Sequence, residues 1–124
     1  MFVQLYAPKS YWHASDAERN RVCNGCGTKG LGGWLVPDTL YGLNIEICCD
    51  IHDWMYCEGS SVADKERADR TFLNNMLRLI EAKSFWMLLP LRRYRAMLYY
   101  SAVCDFGGPA FWNGKNLTSE FRTA

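Results

Sequence analysis

Three things are scarce in this chain of 124 residues, and each scarcity removes a class of function. Long apolar runs are missing. The longest, Phe85 through Pro90 to Leu91, is seven residues, where a bilayer-spanning helix needs about 20, so no transmembrane segment is expected. An excess of charge is missing too: 14 Lys and Arg face 13 Asp and Glu, leaving +1. Nothing in the bulk electrostatics therefore points to a nucleic-acid partner. The basic cluster Arg92-Arg93-Tyr94-Arg95 is local and reads as the solvated face of a helix. Finally, Met1 to Ser15 has no basic start followed by an apolar run, so no secretory leader is expected in this chain. Its compartment is left open between the cytoplasm and release by a non-classical route. Internal repeats, low-complexity tracts and domain boundaries are also absent. With 49% hydrophobic residues, residues 1–124 fit one compact domain, expected to be a monomer.

Six cysteines are few for a small secreted disulfide scaffold and many for an ordinary cytosolic enzyme. The even count permits a framework without establishing one.

The densest chemistry lies in Cys48-Cys49-Asp50-Ile51-His52-Asp53-Trp54-Met55-Tyr56-Cys57. A helix places Ile45, Cys48, Cys49, His52 and Tyr56 on one stripe, with Asp53 at its edge. That inward face is unusually polar, and a buried His or Asp needs a partner or a metal. Asn44 is the expected N-cap of this helix and Gly59 its left-handed stop. Ser61 with Asp64 resembles a weak capping box and opens a second helix running to about Lys83. Its apolar face reads Phe72, Leu73, Met76, Leu77 and Ile80, and three residues before Phe72 stands Asp69, pointing inward. The connector Glu58-Gly59-Ser60-Ser61 is short, so the two helices are expected to pack as an antiparallel hairpin. Asp69 then comes within reach of His52.

The remaining segments are less distinctive. Residues 1–20 hold one short helical turn over Ser15-Asp16-Ala17-Glu18-Arg19, with His13 at the surface. Residues 23–33 carry five of the ten glycines, a density that only a loop tolerates. The stretch from Trp34 to Gly42 reads as a second, more apolar loop. A third helical region spans roughly residues 84–105, begun or broken at Pro90, with Tyr94, Met97, Leu98, Ser101 and Ala102 as its expected packing face. Trp34, Leu35, Trp86, Met87 and Leu88 offer an apolar rim for a lipid surface, but ordinary core is the preferred reading for most of them.

These pieces form a constellation. One helix presents His52 beside Asp53, a second presents Asp69, and a glycine loop offers backbone carbonyls. A carboxylate with carbonyl oxygens is a hard-cation site suited to Ca²⁺. A histidine backed by a carboxylate is a general base with its tautomer set, Asp69 holding one ring N–H and the other nitrogen facing a water. Metal and base on adjacent residues point to metal-assisted hydrolysis.

Cys48-Cys49-Asp50-Ile51-His52-Asp53 with Tyr56 resembles the active-site helix of the secretory-type phospholipase A2 superfamily, whose signature is C-C-x-x-H-D-x-C-Y. Gly25-Cys26-Gly27-Thr28-Lys29-Gly30 is similar to that family's calcium loop, and Ala68-Asp69-Arg70-Thr71-Phe72 to the segment with its second carboxylate. The resemblance covers roughly residues 22–76. It implies a mainly all-α fold: an antiparallel hairpin carrying the active site, a calcium-binding loop and a third, C-terminal helix. It implies His52 as general base, Asp69 as its orienting partner, and Tyr56 as a hydrogen-bond donor steadying Asp69. It also implies Ca²⁺ held by Asp53 and by the carbonyls of Gly25, Gly27 and Lys29. The implied activity is hydrolysis of the sn-2 ester of phospholipids at a membrane surface. Lys29 stands where the family usually has glycine, although a carbonyl ligand is indifferent to the side chain where the backbone angles are allowed.

Departures from the pattern are informative. Met55 and Ala68 replace both ends of one family disulfide. The resemblance implies that Cys26–Cys49 is retained. The usual partner position of Cys48 is Asn75, leaving Cys48 orphaned or paired with Cys104 or Cys57. The insertion that many secreted members carry between the two helices is absent, as in a pared-down microbial, phage or viral type. Two other classes compete. A zinc module would use Cys23 and Cys26 with Cys48, Cys49 or His52, but it leaves Asp53 and Asp69 unexplained. An inactive relative that binds lipid or a partner is at odds with the intact His52, Asp53 and Asp69.

Overall fold

The computed structural model describes residues 3–23, 37–112 and 115, and over them the protein is mainly helical. In chain order the elements are α1 (Lys9–His13), α2 (Asp16–Val22), β1 (Thr39–Leu40), β2 (Leu43–Asn44), α3 (Glu46–Glu58), α4 (Val62–Lys83), α5 (Leu89–Phe106) and α6 (Gly108–Trp112).

Local chemistry sets most of these boundaries. Ser15 caps α2 through a reciprocal box with Glu18, and Ser61 caps α4 through the same arrangement with Asp64. At α3 the cap residue is Ile45, and the Asn44 side chain serves from one position earlier, its Oδ1 accepting from the Glu46 N–H at 2.7 Å. Pro90 sits in the first turn of α5, where its missing N–H leaves no helical bond unmade. The helix α1 stands where no element was expected, and His13 at its end is exposed, as expected.

Gly59 corrects one expectation. It ends α3 in extended backbone, φ −70° and ψ 156°, not in the left-handed conformation. Its smallness has another use: a Cβ there would stand 2.8 Å from the Phe111 ring and 3.0 Å from the Asp64 Cβ.

The helix α4 packs against α3 on one side and α5 on the other. The core between them holds Leu40, Ile45, Cys48, Phe72, Met76, Ile80, Ala96, Val103 and Phe111, and a smaller cluster joins Tyr11, Ile51 and Trp54. Burying a side chain the size of Phe72 contributes about 1.5–3 kcal/mol. Leu73 and Leu77, expected on the packing face of α4, are half-buried at its edge.

The packing face expected for α5 is overturned but for Ala102, which is half-buried against the core. Tyr94, Met97, Leu98 and Ser101 are exposed, and the helix turns Arg92, Ala96, Tyr99 and Val103 inward. The reason is Arg92, which is buried rather than solvated. Its Nε donates to the Leu40 carbonyl at 3.0 Å, its Nη2 to the Tyr41 carbonyl at 2.8 Å and its Nη1 to Ser84 Oγ at 2.9 Å. With Tyr99 donating to the Thr39 carbonyl at 2.8 Å, α5 clamps the β1–β2 hairpin that leads into α3. That hairpin lies where a plain loop was expected. Tyr41 and Gly42 turn it with φ of 46° and 84°, both positive as a type I′ hairpin turn requires.

Candidate functional site

The stripe expected on the first long helix is buried throughout: Ile45, Cys48, Cys49, His52 and Tyr56 all face inward from α3. Across from them α4 buries Asp69, and the two helices meet through polar contacts. His52 Nε2 lies 2.8 Å from Asp69 Oδ1, and the Tyr56 hydroxyl donates to the same oxygen at 2.7 Å. The His52 ring is held by Phe72, centroids 4.8 Å apart, and by Tyr56 at 4.1 Å. Gly107, at the end of α5, keeps room for this array, since a Cβ there would stand 2.5 Å from the Tyr56 hydroxyl.

The proton positions follow from the partners. An ionised carboxylate only accepts, so Nε2 of His52 carries the hydrogen that Asp69 receives. Nδ1 is then left with a lone pair. It is buried and has no hydrogen-bond partner among the described residues.

Charges in the array point the same way. Burial lowers the His52 pKa below its ordinary 6.5, Asp69 opposes this in part, and the charge of Lys65 adds to the lowering. Burial alone would raise Asp69. Hydrogen bonds from His52, Lys65 and Tyr56 outweigh it and hold the carboxyl below its ordinary range. Burial and the Asp69 hydrogen bond raise the Tyr56 phenol, so it stays a donor.

Lys65 is the member that sequence reasoning missed. Its Nζ donates to Asp69 Oδ2 at 2.8 Å and to the carbonyls of Val103 at 3.0 Å and Cys104 at 3.4 Å. It therefore fixes the second carboxylate oxygen and ties it to the end of α5. Its one sequence signal is a position four residues before Asp69, the spacing of helical ion pairs. Replacing Lys65 with methionine removes a charge that lowers the His52 pKa. The His52 ring, followed by NMR, should therefore titrate below pH 6.5 in the wild type and at higher pH in the variant. A Lys65 without influence on His52 would leave the titration in place.

Asp53 follows His52 on α3 and is half-exposed. It lies close enough to Cys23 for its charge to raise that thiol, after burial and Asp50. Cys23 Sγ also donates to the Asp50 carbonyl at 3.1 Å, which fastens the start of the glycine segment to α3. The Asp53 carboxylate close to Cys23 is a hard oxygen donor of the kind that Ca²⁺ takes. Gly25, Gly27 and Lys29, the other ligands the resemblance implies, lie outside the described residues. No group of three or more His, Cys, Asp or Glu side chains that could hold a metal ion is present among the described residues.

The cysteines resolve in part. Cys23, Cys48, Cys57 and Cys104 are free thiols, so Cys48 is orphaned and pairs with neither Cys57 nor Cys104. Cys26 lies outside the described residues, and with it the implied pairing to Cys49, which is buried in the core. Asn75, at the position of the family partner of Cys48, makes a different link. Its amide donates to the Tyr6 carbonyl at 2.9 Å and accepts from the Tyr6 N–H at 2.8 Å, tying the N-terminal segment to α4.

No family model, curated protein or solved structure matches this chain.

Proposed function

We propose that this chain is a calcium-dependent hydrolase of the sn-2 ester of phospholipids. The observation that carries the reading is the state of His52: Nε2 bonded to a buried carboxylate at 2.8 Å, and Nδ1 buried with no hydrogen-bond partner among the described residues. The hairpin of α3 and α4 is the platform. In the reaction Nδ1 takes a proton from a water as its oxygen attacks the ester carbonyl. Asp69 stabilises the resulting imidazolium without taking its proton, while Tyr56 and Lys65 hold both carboxylate oxygens in place. His52 then returns the proton to the departing glycerol oxygen. Asp53 and the carbonyls of Gly25, Gly27 and Lys29 would hold Ca²⁺, which when bound polarises the ester carbonyl and stabilises the oxyanion.

The zinc-module reading draws less support. It leaves the buried pair of His52 and Asp69 without a role, and it calls on Cys48, which is sealed in the apolar core. The test is fatty-acid release from phospholipid vesicles. With Ca²⁺ the chain should release the sn-2 fatty acid. Excess chelator should reduce the rate at least about a hundredfold, the scale of losing an oxyanion stabiliser. Equal rates with and without chelator, or tightly held zinc in the isolated protein, would remove the reading.

A further inference from the structure

We infer that the corner between α4 and α5, with the outer face of α5, is the surface by which this protein docks on an anionic phospholipid membrane. The inference rests on the phospholipid reading for the kind of surface met, and on the corner itself for where it is met.

Connections between helices are ordinarily polar, but this one is Phe85-Trp86-Met87-Leu88. The Leu88 N–H donates to the Phe85 carbonyl at 2.9 Å, closing a turn with Trp86 and Met87 at its tip. Phe85, Trp86 and Met87 are all exposed, Trp86 by 75%. Leu91, Tyr94 and Leu98 continue the apolar surface along α5, also exposed. Their spacing puts them on the side of the helix opposite the buried Arg92, Ala96, Tyr99 and Val103. With Met97, seven large apolar side chains are thus exposed between Phe85 and Leu98, where soluble surfaces usually scatter them singly.

Charge selects the occupant. From Ala82 to Cys104 the chain has no Asp or Glu, and it carries Lys83, Arg92, Arg93 and Arg95. Arg92 is spent on the hairpin carbonyls and Arg93 pairs with Glu81 at 2.6 Å. Lys83 at the end of α4 is exposed, and Arg95 lies against Tyr41, its Nη2 donating to the Tyr41 hydroxyl at 2.8 Å. An apolar tip with Trp at its apex and cations behind it matches an anionic lipid interface: the aromatics sit at headgroup depth and the cations meet phosphate. A second copy of the chain fits less well, because two-fold pairing would set this face, with Lys83, Arg93 and Arg95 against the single carboxylate of Glu81, against itself. No described helix is long and apolar enough to cross a membrane, so the contact is peripheral.

The test is sedimentation with vesicles of phosphatidylcholine and phosphatidylglycerol in equal parts, in chelator to prevent hydrolysis. Wild type and His52→Gln should bind alike. Trp86→Ser combined with Met87→Ser should bind on the order of tenfold more weakly, with an unchanged melting transition because both side chains are already exposed. Lys83→Glu should weaken binding to these vesicles and have no effect with phosphatidylcholine alone. The inference fails if wild type does not bind, or if both variants bind as wild type does. It also fails if wild type self-associates without lipid and the double substitution makes it monomeric. Binding through this corner without any fatty-acid release would remove the hydrolase reading alone. Release with unaltered binding by the variants would remove the docking surface alone.

Discussion

Asp69→Ala should damage fold and activity together. Three donors converge on this carboxylate: His52 Nε2, the Tyr56 hydroxyl and Lys65 Nζ. His52, Tyr56 and Asp69 are all buried. Alanine would leave two buried donors without an acceptor and would remove the counter-charge of Lys65. Breaking a buried ionic network from one side costs about 3–5 kcal/mol. A domain of this size has only about 5–15 kcal/mol in total, so the melting temperature should fall by roughly 10–25 °C. Thermal denaturation followed by circular dichroism measures this, and an unchanged transition would mean the network does not hold α3 to α4. Asp69→Asn separates the two roles. It keeps the shape, but its amide offers one acceptor oxygen and an NH₂ that faces either Lys65 or His52. It should lose less stability than alanine while still reducing hydrolysis about 10²–10⁴-fold, the range for a general base whose orienting carboxylate is lost.

The parts of this structure that were legible in the sequence are those written in local spacing. Ser61 with Asp64 marked the start of α4, and Lys83 its end. The helical stripe from Ile45 to Tyr56 is buried as a unit. Asp69 reaches His52 because it continues the apolar period of α4 backward onto a charge. What was not legible depends on partners distant in sequence. Arg92 counts as surface in any hydrophobic pattern, yet it is buried because the β1–β2 hairpin offers it two carbonyls. With Arg92 turned inward, α5 leaves Leu91, Tyr94 and Leu98 facing outward. Tyr41 gives no turn signal, since left-handed φ favours Gly, Asn and Asp, and contacts with Arg95 accompany it there. A glycine after a helix most often means a left-handed cap, which is the expectation for Gly59. Gly59 is required instead by Phe111, far along the chain. Lys65 looked like any helical surface lysine, and only the fold shows that its ammonium closes the second side of Asp69.

The central claim is that His52 removes the proton from the attacking water, and His52→Gln tests it most directly. Glutamine is close in length, and its amide can donate to Asp69 as Nε2 does, so the array of Asp69, Tyr56 and Lys65 should persist with little loss of stability. It offers no basic nitrogen in place of Nδ1. The measurement is the initial rate of fatty-acid release from phospholipid vesicles with saturating Ca²⁺, wild type beside His52→Gln at equal folded concentration. A fall of about 10³-fold or more in the variant, with its melting transition near that of wild type, is the result expected of a general base. A variant that hydrolyses as fast as wild type would contradict the account.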